Sequence, residues 1–461
     1  MSPKASLSVL MVCASSQSLS TKPRNPPAAV LDPEPLVAEA YGLSMHLPAG
    51  TVVTTQLTDE KLIYVFTDGR EVGAWGMRLQ PLVSARPGAT AESLIQDKIS
   101  QVRSTGRRFR IIANHPGRYG AVEGRLLYLQ RTLPDGAEVI NGWLILPTAP
   151  QQFLVFSLVM SADRIGLLQP VFNASFATVN LRSQEEVTAQ RQARLERGRM
   201  VIDTFTPARL RSLISGPTLY RIYQPAASGR ADDETEIGYF TMRCLEAPRG
   251  RLTPERLPSS YGAMESEEGL MVIIEARAIV DAATKHYVDV EGRYWMRWTR
   301  SSEAWSVRMT ERQGVTEHTT AQTGIRTRGI LNVIHSAREE FTRQPTEWSI
   351  PDKAYLSQPE VFGLGCLLPR DGSVTGPMAF YHYDSRLRRV PRRIDDWRPA
   401  DDGSGHWVLR TRSSLDAGVV TQIFDAQGTR LRRIDADGKI TERIDRQELR
   451  RLWQAKGLLA P

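Results

Sequence analysis

Four neighbouring residues, His382, Tyr383, Asp384 and Ser385, place a base, a phenol, an acid and a nucleophile type side by side. Hydrolytic chemistry needs these types to converge from separate elements, with the base within hydrogen-bond reach of the nucleophile. Neighbours in an extended chain point to opposite faces, so this stretch predicts a strand end and not a triad. The other histidines, His46, His115, His286, His318, His335 and His406, show no H-E-x-x-H spacing, and no zinc site is expected from them. Asp435-Ala436-Asp437-Gly438 matches the centre of a calcium loop, but the first and twelfth ligand positions fall on Arg433 and Ile444, so a hairpin turn is expected. The chain has no G-x-S-x-G, no P-loop and no Gly-rich dinucleotide turn. Neither a cofactor nor an enzymatic activity is expected.

A second kind of chemistry is electrostatic. The run 386–398, RLRRVPRRIDDWR, concentrates Arg386, Arg388, Arg389, Arg392, Arg393 and Arg398. These guanidinium groups are the candidate contact with acidic lipid headgroups or an anionic wall polymer, an attraction that salt would screen. The competing reading is a solvated edge strand and loop, where arginines discourage edge-to-edge pairing. The net charge of +8 comes from arginines scattered along the chain. No nucleic-acid-binding module accompanies them, so nucleic acid is not the expected partner.

These groups have to be positioned by elements, and 461 residues of ordinary globular composition suffice for two or three domains. Residues 1–20 place Lys4 before a short apolar run and then small residues, which resembles a secretory signal. Leu10-Met11-Val12-Cys13 resembles a lipoprotein signal, with Val12 where a small residue belongs; a cytosolic tail is the alternative. If Cys13 leaves with a leader, Cys244 and Cys366 remain and could pair in an oxidising compartment. The proline-rich stretch 21–35 reads as a tether. No later segment approaches the ~20 apolar residues of a membrane-spanning helix.

The stretch 138–181 organises the first half. Two apolar runs around Pro147-Thr148-Ala149-Pro150 predict a hairpin, and Ile165, Leu168, Phe172 and Phe176 recur at helical spacing. Before it stand three predicted strands (41–48, 62–67 and 72–82), a helix capped by Thr90 and ended by Gly106, and strands at 109–113 and 121–130. Strand runs with segregated helices predict an α+β sandwich over residues 36–182.

The opening Tyr41-Gly42-Leu43-Ser44-Met45-His46-Leu47-Pro48 and the closing Val171-Phe172-Asn173-Ala174-Ser175-Phe176, in this order of elements, resemble the PsbP/DcrB-type α/β/α sandwich of small exported or lipid-anchored proteins. The resemblance covers about residues 38–182. It implies a non-enzymatic binding or assembly factor and brings no functional residues with it.

Ser183 and Glu186 have capping-box spacing, predicting a polar helix from Gln184, and Thr206-Pro207 opens a shorter one that Gly216-Pro217 stops. Residues 183–216 are therefore expected as a helical linker. From 217 to 442 the sequence predicts a mostly antiparallel β domain, a curved sheet or half-barrel that residues 351–368 could plug. This layout is similar to the LolA/LolB-like half-barrels that carry lipoproteins. Asp445 and Glu448 then cap a C-terminal helix within 443–461. The functional expectation is an exported envelope protein, in the periplasm or lipid-anchored, that binds or assembles with envelope proteins, lipid or a wall polymer. The alternative is a carrier holding an apolar ligand among Met271, Trp295, Trp298, Trp305 and Met309, and an enzyme comes third.

Overall fold

The computed structural model describes residues 30–458, apart from 59–60, 71–73, 107, 338–344, 351–353 and 415–416. Lys4, Cys13 and most of the tether lie outside them. The fold is mixed α and β with large antiparallel sheets. The chain divides into two units between Gln190 and Arg191.

The first unit contains β1 (Leu36–Ala38), β2 (Leu43–Met45), β3 (Thr51–Thr58), β4 (Lys61–Asp68), β5 (Trp75–Val83), α1 (Ala91–Ser104), β6 (Phe109–Tyr119), β7 (Val122–Thr132), β8 (Glu138–Ala149), β9 (Gln152–Ser161), α2 (Ile165–Ala177) and β10 (Asn180–Leu181). Seven strands form an antiparallel sheet in the order β3-β4-β5-β9-β8-β7-β6, and β1, β2 and β10 a smaller one. Strand alternation gives the larger sheet two apolar faces. Ile95 and Ile99 of α1 pack on Leu127, Leu129, Ile145, Phe153 and Val155. On the opposite face Phe172 of α2 meets Trp75 edge-on at 5.1 Å, and Phe176 lies 5.5 Å from Phe156. Thr90 caps α1, its hydroxyl accepting the Ser93 amide at 3.1 Å. The β8–β9 turn falls at Pro150-Gln151, with Gln151 at φ 62°, while Pro147 stays in the strand opposite Phe153. Pro147 is tolerated there because the ladder to β7 has already ended at Ile145.

Across the division runs α3 (Gln184–Asp203), followed by α4 (Pro207–Arg211). Ser183 accepts the Glu186 amide at 3.1 Å and Glu186 accepts the Ser183 amide at 2.8 Å, closing the predicted capping box. The expectation of a polar bridge is corrected at its far end. Val201, Ile202, Phe205, Leu210 and Leu213 are buried in the core of the second unit.

That unit's sheet has fourteen strands: β11 (Ser215–Gln224), β12 (Thr235–Pro248), β13 (Glu268–Asp281), β14 (His286–Arg297), β15 (Ser302–Gln313), β16 (Thr316–Thr327), β17 (Ile330–Ala337), β18 (Thr346–Ser349), β19 (Gly376–Tyr381), β20 (Arg392–Pro399), β21 (Trp407–Arg412), β22 (Val420–Phe424), β23 (Arg430–Ile434) and β24 (Ile440–Arg443). Two antiparallel meanders, β11 to β18 and β19 to β24, meet where β24 pairs with β11. Between them lies α5 (Gln358–Leu367), whose Leu364 and Leu367 pack with Leu270, Met296, Trp397, Leu409 and Phe424 on the sheet's inner face. Glu360 is fully buried, pairs with Arg300 and accepts the Ser357 amide at 2.8 Å, while Glu303 accepts the Gln358 amide at 2.7 Å. Two carboxylates therefore sit at the positive end of the helix dipole and hold α5 in place. The edge of β19 is covered as well: Arg197 of α3 donates to the Pro377 carbonyl at 2.6 Å, and the Tyr381 amide donates to Ala354 at 2.7 Å. On the outer face, α6 (Arg446–Ala455) packs Leu449, Leu452 and Trp453 against Leu219, Tyr239 and Ile279.

Candidate functional site

The arginine run is divided by the strand it forms. Asp384 and Arg389 bridge the loop between β19 and β20, which leaves Arg386 and Arg388 exposed at its tip, with Arg388 in the left-handed region at φ 48°. Arg389 and Arg392 are half-buried, and each has a partner. Arg393 departs from the expectation of a surface contact. It points inward, 4% exposed, and donates to both oxygens of Asp395 at 2.6 and 2.8 Å and to the Thr411 hydroxyl at 3.2 Å. A buried guanidinium is tolerated only with such partners, so Arg393 contributes no surface charge. Arg398 is exposed and paired with Asp396.

Cross-strand register adds two residues that the run does not contain. Asp395, Trp397, Leu409 and Thr411 are buried, so strand alternation sends Ile394, Asp396, Arg398, Val408, Arg410 and Arg412 to the outer face. Arg410 lies opposite Asp396 and Arg412 opposite Ile394. Among the described residues neither arginine has a carboxylate within ion-pair distance. Their sequence signal is the alternation in Trp407-Val408-Leu409-Arg410-Thr411-Arg412, which needs a partner strand before it becomes a patch. The adjoining β22, VTQIF, carries no charge.

A separate groove of about 630 Å³ opens on the outer face over β12 to β16, beside the start of α6. Its charges are balanced. Arg277 holds Asp289 through two bonds of 2.7 and 3.0 Å, Glu275 and Glu291 face each other in register, and Arg308, Arg312, Arg446 and Glu317 are the other charged groups of the lining.

The remaining candidate groups resolve into structure. Tyr383 packs between Trp305 and Trp348, its hydroxyl 3.2 Å from His335 Nε2, while Asp384 accepts the Arg386 and Leu387 amides at 2.9 and 3.0 Å. His382 is buried. Desolvation, and then the neighbouring Arg393, lower its pKa to about 3, so it is neutral at ordinary pH. Asp435 turns the β23–β24 hairpin, with its amide donating to Lys439 at 2.9 Å and Gly438 at φ 82°. No three His, Cys, Asp or Glu side chains among the described residues are grouped to hold a metal. Cys244 and Cys366 are free thiols, not a disulfide. Burial pushes Cys244 up to about 12, and the Cys366 thiol donates to the Gly428 carbonyl at 2.9 Å.

The pocket expected for a carrier is not formed by its five residues. Met271 and Trp295 pack on the outer face, Trp305 belongs to the inner-face cluster with Tyr383, Trp298 lies under Arg211 at 4.5 Å, and Met309 is exposed. Much of the inner face is covered by α5 and by the end of α3.

No family model matches the chain, and no curated protein does. Among solved structures it is similar to the cyanobacterial PsbP (CyanoP) from Synechocystis sp. PCC 6803, with 13% identity and a TM-score of 0.27 over 35% of this chain and 98% of that one. It is also similar to a beta-barrel-like protein of the domain of unknown function DUF1849 from Brucella abortus, with 10% identity and a TM-score of 0.31 over 50% of this chain and 99% of that one. A third is PA94 from Pseudomonas aeruginosa, a protein of unknown function described as a putative regulator, with 12% identity and a TM-score of 0.24 over 29% of this chain and 99% of that one. At these values the likenesses assign neither a family nor an activity. The LolA/LolB likeness of the second half is not shown.

Proposed function

We infer that this protein is a non-enzymatic binding or assembly factor of the cell envelope, reached by export. The observation that carries this reading is that the second unit packs its own helix against the inner face of its sheet, with buried Glu303 and Glu360 holding it there. Internal cargo is disfavoured by that packing, so the surfaces on offer for recognition are external: the groove over β12 to β16 and the arginine-bearing face of β20 and β21. Export is supported by Lys4 and the short apolar run that follows it. The test is native mass spectrometry on protein purified from its own envelope, with peptide mapping of its amino terminus. A co-purifying envelope component and a mature chain beginning between about residues 14 and 30 are expected. Intact Met1 on protein confined to the cytosol would sink the reading.

A further inference from the structure

Building on that envelope reading, we propose that the outer face of β20 and β21, extended by the loop before β20, docks on an anionic phospholipid surface. Its contacts are Arg386, Arg388, Arg398, Arg410 and Arg412. Charge is the first argument. On the outward positions of the two strands the single carboxylate is Asp396, and Arg398 already engages it. The other acid of β20, Asp395, is on the inner face and neutralises Arg393 there. Among the described residues Arg410, although opposite Asp396, and Arg412 therefore form no ion pair, and the far neighbour of their strand, β22, is uncharged. Such an array draws counter-charge, and guanidinium forks match phosphate oxygens two at a time.

Shape is the second argument, and it selects a surface over a chain-like polymer. Neighbouring strands stand ~5 Å apart and same-face residues along a strand ~7 Å apart, so these side chains form a broad array and not a cleft. The groove lies instead over β12 to β16, where the lining charges are balanced. An anionic polymer seeking a groove would find no net attraction in that one. The half-buried aliphatics Ile394 and Val408 stand among the arginines and Ile423 of β22 flanks them, and these can lie against the interfacial region of a bilayer. No helix among the described residues is long and apolar enough to cross a membrane, so contact through this face would be peripheral and sensitive to salt.

The test is flotation of the full chain with phosphatidylcholine vesicles, with and without roughly a third phosphatidylglycerol, at about 50 and about 300 mM salt. Partition should be about tenfold stronger to the anionic vesicles and should collapse at the higher salt. The pair Arg410→Glu with Arg412→Glu should abolish most of the binding in a chain that still unfolds cooperatively, with a melting temperature only slightly lowered by the new carboxylate opposite Asp396. Arg410→Lys with Arg412→Lys, which keeps the charge and loses the fork, should retain part of it. Equal partition to neutral vesicles, no partition at all, or indifference to the charge reversal would overturn the proposal. So would capture of a soluble polyphosphate by a chain that ignores vesicles. If vesicles fail while an envelope protein still co-purifies with the native chain, the docking surface falls and the envelope reading stands. If a cytosolic protein nonetheless floats with anionic vesicles, the docking surface stands and the envelope reading falls.

Discussion

His382 shows how one side chain links packing to pH. It is 5% exposed beside Arg393, and its Nδ1 has no hydrogen-bond partner among the described atoms. Folding lowers its pKa to about 3, whereas the unfolded chain takes up the proton near the ordinary value of ~6.5. Between these values the unfolded state binds more protons, so stability rises with pH. The contribution is complete above ~6.5 and is lost as pH falls toward 3. Unfolding of the second unit should cost about 2 kcal/mol less at pH 5 than at pH 7.5 on account of this group. In His382→Gln that part of the slope should vanish; denaturant titrations giving parallel pH profiles for the two proteins would refute the assignment. The same scale marks what a linear reading misses. Arg393 belongs to the basic run by sequence and to the core by position, because alternate residues of β20 face inward. Arg410 and Arg412 lie outside the run and share its surface, because register and not sequence distance makes neighbours in a sheet.

At the scale of elements, what was legible was local. The caps at Thr90, Ser183, Thr206 and Asp445 each involve hydrogen bonds within one helical turn, and their residues announce them. By contrast, β3 falls between the strands that the sequence predicts. Its sequence, TVVTTQLT, lacks clean alternation because it is an edge strand with Val52 and Val53 both exposed. Helix packing was equally hidden, and two glycines expose the difference. A Cβ at Gly365 of α5 would run into the Phe424 ring, whereas at Gly166 of α2 it would meet nothing within 4 Å. Gly365→Ala should therefore cost roughly 1–3 kcal/mol through overpacking. Gly166→Ala should gain up to about 1 kcal/mol from helix propensity. Differential scanning calorimetry reading the same sign for both would show that α5 does not pack against β22 as described.

For the whole molecule, the pairing of β11 with β24 joins residues more than two hundred positions apart, and nothing in either strand specifies the other. The division at Gln190–Arg191 was hidden for a related reason. The polar stretch 185–199 reads as a linker, yet the helix continues into Val201 and Ile202, and these with Phe205, Leu210 and Leu213 are buried in the second core. This distinction can be measured on truncated chains. Each such side chain contributes ~1.5–3 kcal/mol by burial, so five together rival the ~5–15 kcal/mol that holds a domain folded. A chain of residues 217–461, cut where Gly216-Pro217 suggests a boundary, would leave an apolar cavity under α5 facing water. It should be aggregated or molten, binding a hydrophobic dye and lacking a cooperative transition. A chain of residues 191–461 keeps the end of α3 and all of α4, and should unfold in one sharp transition by circular dichroism. If both fragments melt alike, the end of α3 is a linker after all and the second unit's core closes without it.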